Sequence, residues 1–264
     1  MNDIYYLERQ MSGGEGMKEK KGHLVILAQV LILLFLCVRQ GMIKEKQEEN
    51  EVSPKEVVQQ VGIGLNKNTV NTARPKAAGE KKKAALTFDD GPNSKYTPML
   101  LEGLKERGVH ATFFLLGKNI EGKEELIRQM QEEGHLIGNH TYNHVELNKI
   151  TKEAAKKEIE ATNREIYDIT GQYPAWLRPP YGEWQKNLDF YVTMFPVLWD
   201  IDTLDWKSQN VNEILQIVES EIQDGAVILM HDAYQTSVDA ALQIADMLVE
   251  MGYELVTVDK LVLP

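Results

Sequence analysis

Two adjacent carboxylates and two nearby histidines are the residues of this chain best suited to chemistry. Asp89 and Asp90 follow an apolar run, and His140 and His144 are four residues apart. Like charges in one site raise each other's pKa, and a bound cation relieves that conflict. One Asp with two His is an open ligand set for a catalytic divalent metal, which leaves positions for water and substrate. The second Asp is then free to act as a base, so the pattern indicates a metal-assisted hydrolase.

The elements that must position these residues alternate between strand and helix patterns. Strands are predicted at residues 84–88, 111–116, 135–138, 175–178, 196–201, 226–230 and 254–258. Helices are predicted at residues 97–107, 123–133, 152–170, 211–223 and 238–252, whereas 184–195 lacks a clean amphipathic pattern. Such βα repetition predicts a parallel sheet. The segments that carry candidate catalytic residues each follow a predicted strand. This is typical of a (β/α) barrel rather than of an open sheet with one switch point.

Composition narrows the class of protein. The chain has 264 residues, of which 43% are hydrophobic and 26% charged, and this suits a globular body. The formal net charge of −11 argues against nucleic acid as a partner, because phosphate binding needs a basic surface. The single cysteine, Cys37, excludes an intrachain disulfide framework and a cysteine-based zinc site.

The N-terminal region predicts export. Residues 24–38 form an apolar run broken only by Gln29, with lysines before it. We interpret 1–21 as a cytoplasmic n-region and 22–43 as a signal anchor or signal peptide. No small-residue cleavage pattern follows, so we favour an uncleaved anchor over a cleaved signal; a cytosolic protein with a buried helix is the third alternative. The expected location is the cell membrane, single-pass with an extracellular catalytic domain, or secreted after cleavage. Polar residues 44–83 predict a flexible linker before a catalytic domain at 84–264.

Five motifs connect the chemistry to a known family. They are TFDDGP at 87–92, HTYNH at 140–144, RPPYG at 178–182, DTLDW at 202–206 and LMH at 229–231. In this order, over roughly residues 84–261, they resemble the polysaccharide deacetylases of carbohydrate esterase family four. The resemblance implies an α/β fold with a (β/α) barrel of seven to eight strands. The missing helix pattern after RPPYG predicts that this barrel is distorted or incomplete.

The resemblance also implies a role for each motif residue in the first half of the site. Asp90, His140 and His144 look like the metal ligands, and Asp89 looks like the general base. Taken alone, an Asp before Gly-Pro is more often a turn or N-cap residue, and two histidines four apart are more often on a surface. Arg178 resembles the family arginine that pairs with the base.

The remaining motif residues are similar to those that complete a deacetylase site. The backbone N–H of Tyr181 would be an oxyanion donor. His231 looks like the general acid, with Asp205 orienting or tuning it, although a lone histidine after a strand is more often structural. Trp206 and Leu229 resemble the walls of a small apolar pocket for the acetyl methyl group.

The expected activity is hydrolysis of N-acetyl groups on amino sugars of a cell-wall polysaccharide. Peptidoglycan N-acetylglucosamine is the favoured substrate; muramic acid residues, chitin, xylan or a biofilm glucosamine polymer are alternatives. A non-catalytic wall-binding protein is the rival from another class. The expected cofactor is a divalent metal ion, with Zn²⁺ as the default and Co²⁺, Ni²⁺ or Mn²⁺ as alternatives. The expected partners are the polysaccharide and, through the N-terminal segment, the membrane.

Overall fold

The computed structural model describes residues 81–188 and 192–262. They belong to one compact unit, Lys76–Pro264. The expected n-region, the signal or anchor segment at 22–43 and the linker up to residue 80 lie outside the described residues. Within the described ranges, no helix has the length and apolar character needed to cross a membrane.

Eight strands form a sheet in which neighbouring strands run parallel. They are β1 Lys82–Asp89, β2 Thr112–Leu115, β3 Leu136–Asn139, β4 Trp176–Leu177, β5 Phe195–Pro196, β6 Ile201–Asp202, β7 Ala226–His231 and β8 Tyr253–Leu255. The order across the sheet is β5-β4-β3-β2-β1-β7-β6, and β8 pairs with the first three residues of β1. β1 begins at Lys82, two residues before the predicted strand.

Seven α-helices accompany these strands in the described part of the chain, and the last of them follows β8. They are α1 Tyr96–Glu106, α2 Glu124–Glu132, α3 Lys152–Thr170, α4 Asp205–Ser208, α5 Val211–Glu221, α6 Gln235–Glu250 and α7 Val258–Val262. The long helix α3 has the predicted bounds. Thr151 caps its N-terminus by accepting from the N–H of Ala154, and Gly171 ends it in the left-handed conformation.

The sheet is curled into an open barrel. Its two outer strands, β5 and β6, are separated in sequence only by residues 197–200. A flat sheet with six interstrand spacings would be roughly 29 Å wide, whereas the five steps from Pro196 to Ile201 span at most about 18 Å. The two edges must therefore approach each other. No strand pairing joins β5 to β6 among the described residues, which agrees with an incomplete barrel.

The prediction of one strand at 196–201 was wrong, because this segment supplies two short strands on opposite edges of the sheet. Between them, Asp200 donates its backbone N–H to the carbonyl of Val227 at 2.9 Å, which directs the chain toward β7. The last predicted strand is also too long. It ends at Leu255, and Val258 begins α7 instead.

Side chains of β1 alternate between two apolar layers, as period-two geometry requires. Leu86 and Phe88 belong to the larger core cluster, which also contains buried residues of α1 and α6. Ala85 belongs to an interior cluster with Phe114 and Val258, so α7 contributes a side chain to the packed interior of the barrel. Thr87 and Asp89 share the interior face with Ala85. The alternation thus directs one of the two predicted carboxylates inward.

Candidate active site

The predicted site residues lie on segments that end or follow strands on one edge of the sheet. Asp89 ends β1 and His231 ends β7, and these two residues are register partners. His140 directly follows β3, and Arg178 directly follows β4. Because parallel strands have their carboxyl ends at the same edge, these side chains share one end of the barrel.

The three predicted metal ligands converge. Ligand atoms of Asp90, His140 and His144 all lie within 4.8 Å of one another. The Oδ1 atom of Asp90 is 3.5 Å from His140 Nε2 and 3.6 Å from His144 Nε2. The two imidazole centroids are 5.0 Å apart. Two nitrogen atoms and one carboxylate oxygen are therefore directed at a common volume.

The tautomer of His140 follows from its hydrogen bond. Its Nδ1 atom is 2.7 Å from the carbonyl oxygen of Arg178. A carbonyl only accepts, so Nδ1 must carry the proton and the lone pair is on Nε2, which faces Asp90. Metal-bound histidines commonly donate their second ring N–H to such an acceptor. The bond thus prepares Nε2 as a ligand.

Two further features fit a bound cation at this position. Asp90 Oδ1 is buried and has no hydrogen-bond partner, although buried carboxylate oxygens are normally satisfied. The pKa of His144 is lowered, chiefly by burial and then by neighbouring His140. A neutral imidazole is the form that binds metal. The donor set suits several divalent metals and does not by itself select one.

Asp89 is held by a buried guanidinium. Arg178 Nη1 donates to Asp89 Oδ1 at 2.9 Å, and both side chains are almost fully buried. The same Nη1 donates to the hydroxyl of Thr87 at 2.6 Å, and Nη2 donates to the carbonyl of Leu198 at 3.2 Å. The second oxygen of Asp89 faces His140 Nε2 at 3.6 Å. Asp89 is therefore oriented toward the volume between the ligands.

His231 is paired with Asp205 on the other side of the site. Its Nδ1 is 2.8 Å from Asp205 Oδ1, and its backbone N–H donates to Asp205 Oδ2 at 2.9 Å. Burial alone would lower the pKa of His231, but the hydrogen bond and charge of Asp205 outweigh it and raise that pKa to about 9. Burial likewise acts to raise the pKa of Asp205, yet its bond to His231 leaves that pKa lowered. An imidazolium–carboxylate pair results.

The three predicted substrate-contacting residues belong to the same edge. The Tyr181 side chain is 62% exposed, and its ring centroid is 4.7 Å from that of His144. Trp206 follows Asp205 in α4 and is 50% exposed. Leu229 is buried, and its register partner Thr87 places it on the interior face of β7.

Left-handed backbone is concentrated in these segments. Seven described non-glycine residues have positive φ. Five of them lie in four of the motifs: Asp90, Thr141, His144, Tyr181 and Leu204. Such conformations cost energy and persist where the surroundings impose them, which is common at functional sites.

Asn139 and Glu158, which hold the loops, were not predicted from the sequence, and Asp232 was given no role there beyond support. Asn139 accepts the N–H of Thr141 at 2.7 Å, and Glu158 on α3 accepts backbone N–H groups of the HTYNH loop. Asp232, adjacent to His231, is buried against Gly91 and accepts from the Thr97 hydroxyl. Burial raises the pKa of Asp232 to about 6. Helical periodicity carries no signal for Glu158, which has the pattern of an ordinary surface residue.

Sequence comparisons agree with this geometry. A family model described as polysaccharide deacetylase matches residues 76–195. A peptidoglycan-N-acetylglucosamine deacetylase of Bacillus cereus is 38% identical over 188 residues, which cover 67% of each chain. This chain belongs to the polysaccharide deacetylase family. Another member, the peptidoglycan-N-acetylmuramic acid deacetylase PdaC of Bacillus subtilis, is 38% identical over 214 residues. That alignment covers 77% of this chain and 46% of PdaC, so this deacetylase-family chain spans less than half the length of that relative.

Solved structures extend the similarity to the fold. The structure of PdaC matches with a TM-score of 0.67 at 42% identity, over 69% of this chain and 90% of that one. A CE4 family pseudoenzyme from Bacillus anthracis, BA3943, matches with a TM-score of 0.65 at 29% identity, over 69% of this chain and 66% of its own. Since this fold also occurs in a pseudoenzyme, the fold alone does not establish activity, and the site residues decide it.

Proposed function

We propose that this protein is a divalent-metal-dependent hydrolase that removes N-acetyl groups from amino sugars of peptidoglycan. The observation that carries the proposal is the convergence of Asp90, His140 and His144 around an unpartnered carboxylate oxygen. A candidate base and a candidate acid, Asp89 and His231, flank that point. A wall-binding protein without activity has no need of both groups.

Asp90, His140 and His144 would hold the cation. A divalent cation there supplies a Lewis acid, which lowers the pKa of a water and polarises the acetyl carbonyl. Asp89, oriented by its hydrogen bond from Arg178, takes a proton from the attacking water.

His231 supplies the proton that the departing amine requires. Its pKa of about 9 keeps the imidazole protonated at neutral pH, and Asp205 fixes the ring through Nδ1. Nε2 then carries the donated proton. The N–H of Tyr181 stabilises the developing oxyanion, and Trp206 with Leu229 encloses the methyl group.

N-acetylglucosamine within peptidoglycan is the proposed target, as in the name of the Bacillus cereus relative. N-acetylmuramic acid is the second candidate, because the relative PdaC is named for it. Mass spectrometry of products from defined glycan fragments distinguishes the two, since the mass loss of one acetyl group maps to one sugar or the other.

The test is acetate release by the purified full chain from peptidoglycan fragments. Zinc-loaded protein should release acetate, chelation should abolish release, and a panel of Zn²⁺, Co²⁺, Ni²⁺ and Mn²⁺ should rank the metals. Asp89→Asn should lower kcat by about 10²–10⁴-fold, as expected for loss of a general base. Its far-UV circular dichroism should remain that of the wild type. Binding of peptidoglycan without any acetate release would instead support the non-catalytic rival.

We also propose that the protein acts outside the cell, tethered by residues 22–43 or released after their cleavage. The apolar run preceded by lysines supports this. Cell fractionation combined with N-terminal sequencing checks it: the membrane fraction with an intact N-terminus indicates an anchor, and a processed form in the medium indicates secretion. Recovery only in the cytosol contradicts the proposal.

A further inference from the structure

The loops that carry the three candidate ligands have unusual backbone conformations. Asp90, Thr141 and His144 all have left-handed backbone, and the loop 140–144 contains no helix or strand. Side-chain-bearing residues adopt this conformation only where surrounding structure imposes it. The histidine loop has one internal bond, from His144 N–H to Thr141 Oγ1 at 3.1 Å, and hydrogen bonds from outside the loops supply further constraints on the ligand atoms.

Glu158 on α3 supplies one such constraint to the histidine loop. Its Oε2 accepts the backbone N–H of Tyr142 at 3.1 Å and of Asn143 at 2.8 Å. Its Oε1 accepts from Asn143 Nδ2 at 2.9 Å. Three donors from the two residues between Thr141 and His144 thus converge on one charged acceptor, and charge-assisted bonds of this kind are strong.

The turn 116–119 supplies a second constraint and connects both ligand loops. Its three backbone donors are Leu116 N to Gly91 O at 3.0 Å, Gly117 N to Thr141 O at 3.1 Å and Lys118 N to Tyr142 O at 3.1 Å. In addition, Asn119 Nδ2 donates to the carbonyl of Asp90 at 2.7 Å. A β-carbon on Gly117 would lie 2.3 Å from the ring of Tyr142, so the turn and the histidine loop are in close contact.

We propose that Glu158 and Asn119 are positioning residues that set the affinity of the Asp90, His140 and His144 site for its cation. The inference rests on the proposed metal-dependent function. Glu158 fixes the separation of the two histidines through the residues between them. Asn119 fixes the strained peptide unit of Asp90. Residues behind metal ligands typically change affinity by about 10–100-fold when replaced.

The fold of α3 does not depend on Glu158. The helix is anchored by Ile159 and Ile166, which are buried, and by its two capping residues. The carboxylate of Glu158 faces the histidine loop rather than the helix core. Glu165 is an exposed glutamate of the same helix and provides a matched control.

The test measures the dissociation constant for Zn²⁺ of the full chain, by competition with a chromophoric chelator. Glu158→Gln should bind zinc about 10–100-fold more weakly than the wild type. Asn119→Leu, which removes the donor at similar volume, should weaken zinc binding by about 10-fold. Glu165→Gln should stay within about twofold of the wild type. Circular dichroism of each metal-free variant, recorded in parallel, should match that of the wild type and so show that the variant is folded.

Glu158→Asp separates hydrogen bonding from charge, because it keeps the charge and shortens the side chain by one methylene. Weakened zinc binding in this variant supports a positioning role. Wild-type affinity in Glu158→Asp together with a loss in Glu158→Gln would overturn it, as would wild-type affinity in Glu158→Gln. A wild-type chain that binds no zinc, cobalt, nickel or manganese would instead remove the proposed metal-dependent function.

Discussion

The two sides of the barrel are held together in different ways. Around β1, the pairing is extensive: six residue pairs join β1 to β7, and four join β2 to β3. On the other side, formed by β4, β5 and β6, each pairing has only one or two residue pairs, and we call it the sparsely paired side. There, side chains replace the missing backbone bonds. Arg178 donates to the carbonyls of Val197 and Leu198, and Asp200 accepts the N–H of Val227.

The candidate site straddles these two sides. Asp89 ends the well-paired strand β1, and the three ligand residues follow the well-paired strands β1 and β3. Arg178 and Asp205, which orient the proposed base and the proposed acid, come from the sparsely paired side. We infer that ligand convergence is set mainly by the sheet and the loop contacts, whereas proton-transfer geometry depends on a few buried side-chain bonds.

Removing Arg178 should produce the largest effect. Its side chain both bonds the carbonyls of the sparsely paired side and orients the proposed base, Asp89. Arg178→Met leaves Asp89 buried without its partner and two carbonyls without donors. We expect a loss of about 3–5 kcal/mol in the free energy of unfolding, measured by urea denaturation of metal-free protein, and loss of acetate release. The control Arg107→Met breaks an exposed pair with Asp246 and should cost below about 1 kcal/mol. Equal losses in both variants would contradict the comparison.

Asp205→Asn tests the ion pair between Asp205, on the sparsely paired side, and His231 at the end of β7. In the native protein the pKa of His231 is raised to about 9, above its ordinary 6.5. The stability that this pair contributes is therefore complete below pH 6.5 and is lost as the pH rises through 9. Asp205→Asn removes the hydrogen bond and charge that chiefly raise the pKa of His231, so this pKa should fall, while the charges of Asp89 and Asp90 still act to raise it.

Two measurements check this prediction. An NMR titration of His231 in the metal-free Asp205→Asn variant should show the lower pKa. The alkaline limb of kcat/KM for acetate release should move to lower pH by more than one unit, since the acid then loses its proton earlier. An unchanged His231 titration would exclude Asp205 as the cause of the raised pKa.

The smallest effect is expected at Asp200, an exposed residue that fastens the sparsely paired side. Asp200→Ala removes the acceptor for Val227 N–H, now at 2.8 Å, while its own backbone bond to Val227 remains. The expected cost is about 1 kcal/mol in the free energy of unfolding. Hydrogen exchange at Val227 should accelerate as well; unaltered exchange would show that this side chain does not support the edge.

Sequence predicted the well-paired side better than the sparse side, for physical reasons. The helix at 152–170 is bounded by a threonine cap and a glycine, which are local signals. Longer strands also show apolar runs. In contrast, two-residue strands such as β5 and β6 carry no periodicity, and nothing local reveals that residues 197–200 connect opposite edges.

The candidate site shows the same division. Motif residues such as Asp90 and His144 were predicted and do converge. Thr87, Asn119 and Glu158 were not predicted, because their contacts join residues distant in sequence and their types fit ordinary strand, turn and helix positions. Sequence motifs identify the residues that are able to react, but only the tertiary structure identifies the residues that orient them.

The four-residue connection between β5 and β6 has a mechanical consequence. Five Cα–Cα steps join Pro196 to Ile201, so these two residues cannot lie more than about 18 Å apart, whatever else in the molecule moves. Spreading the two edges of the open barrel beyond that limit would require β5 or β6 to detach from the strand beside it.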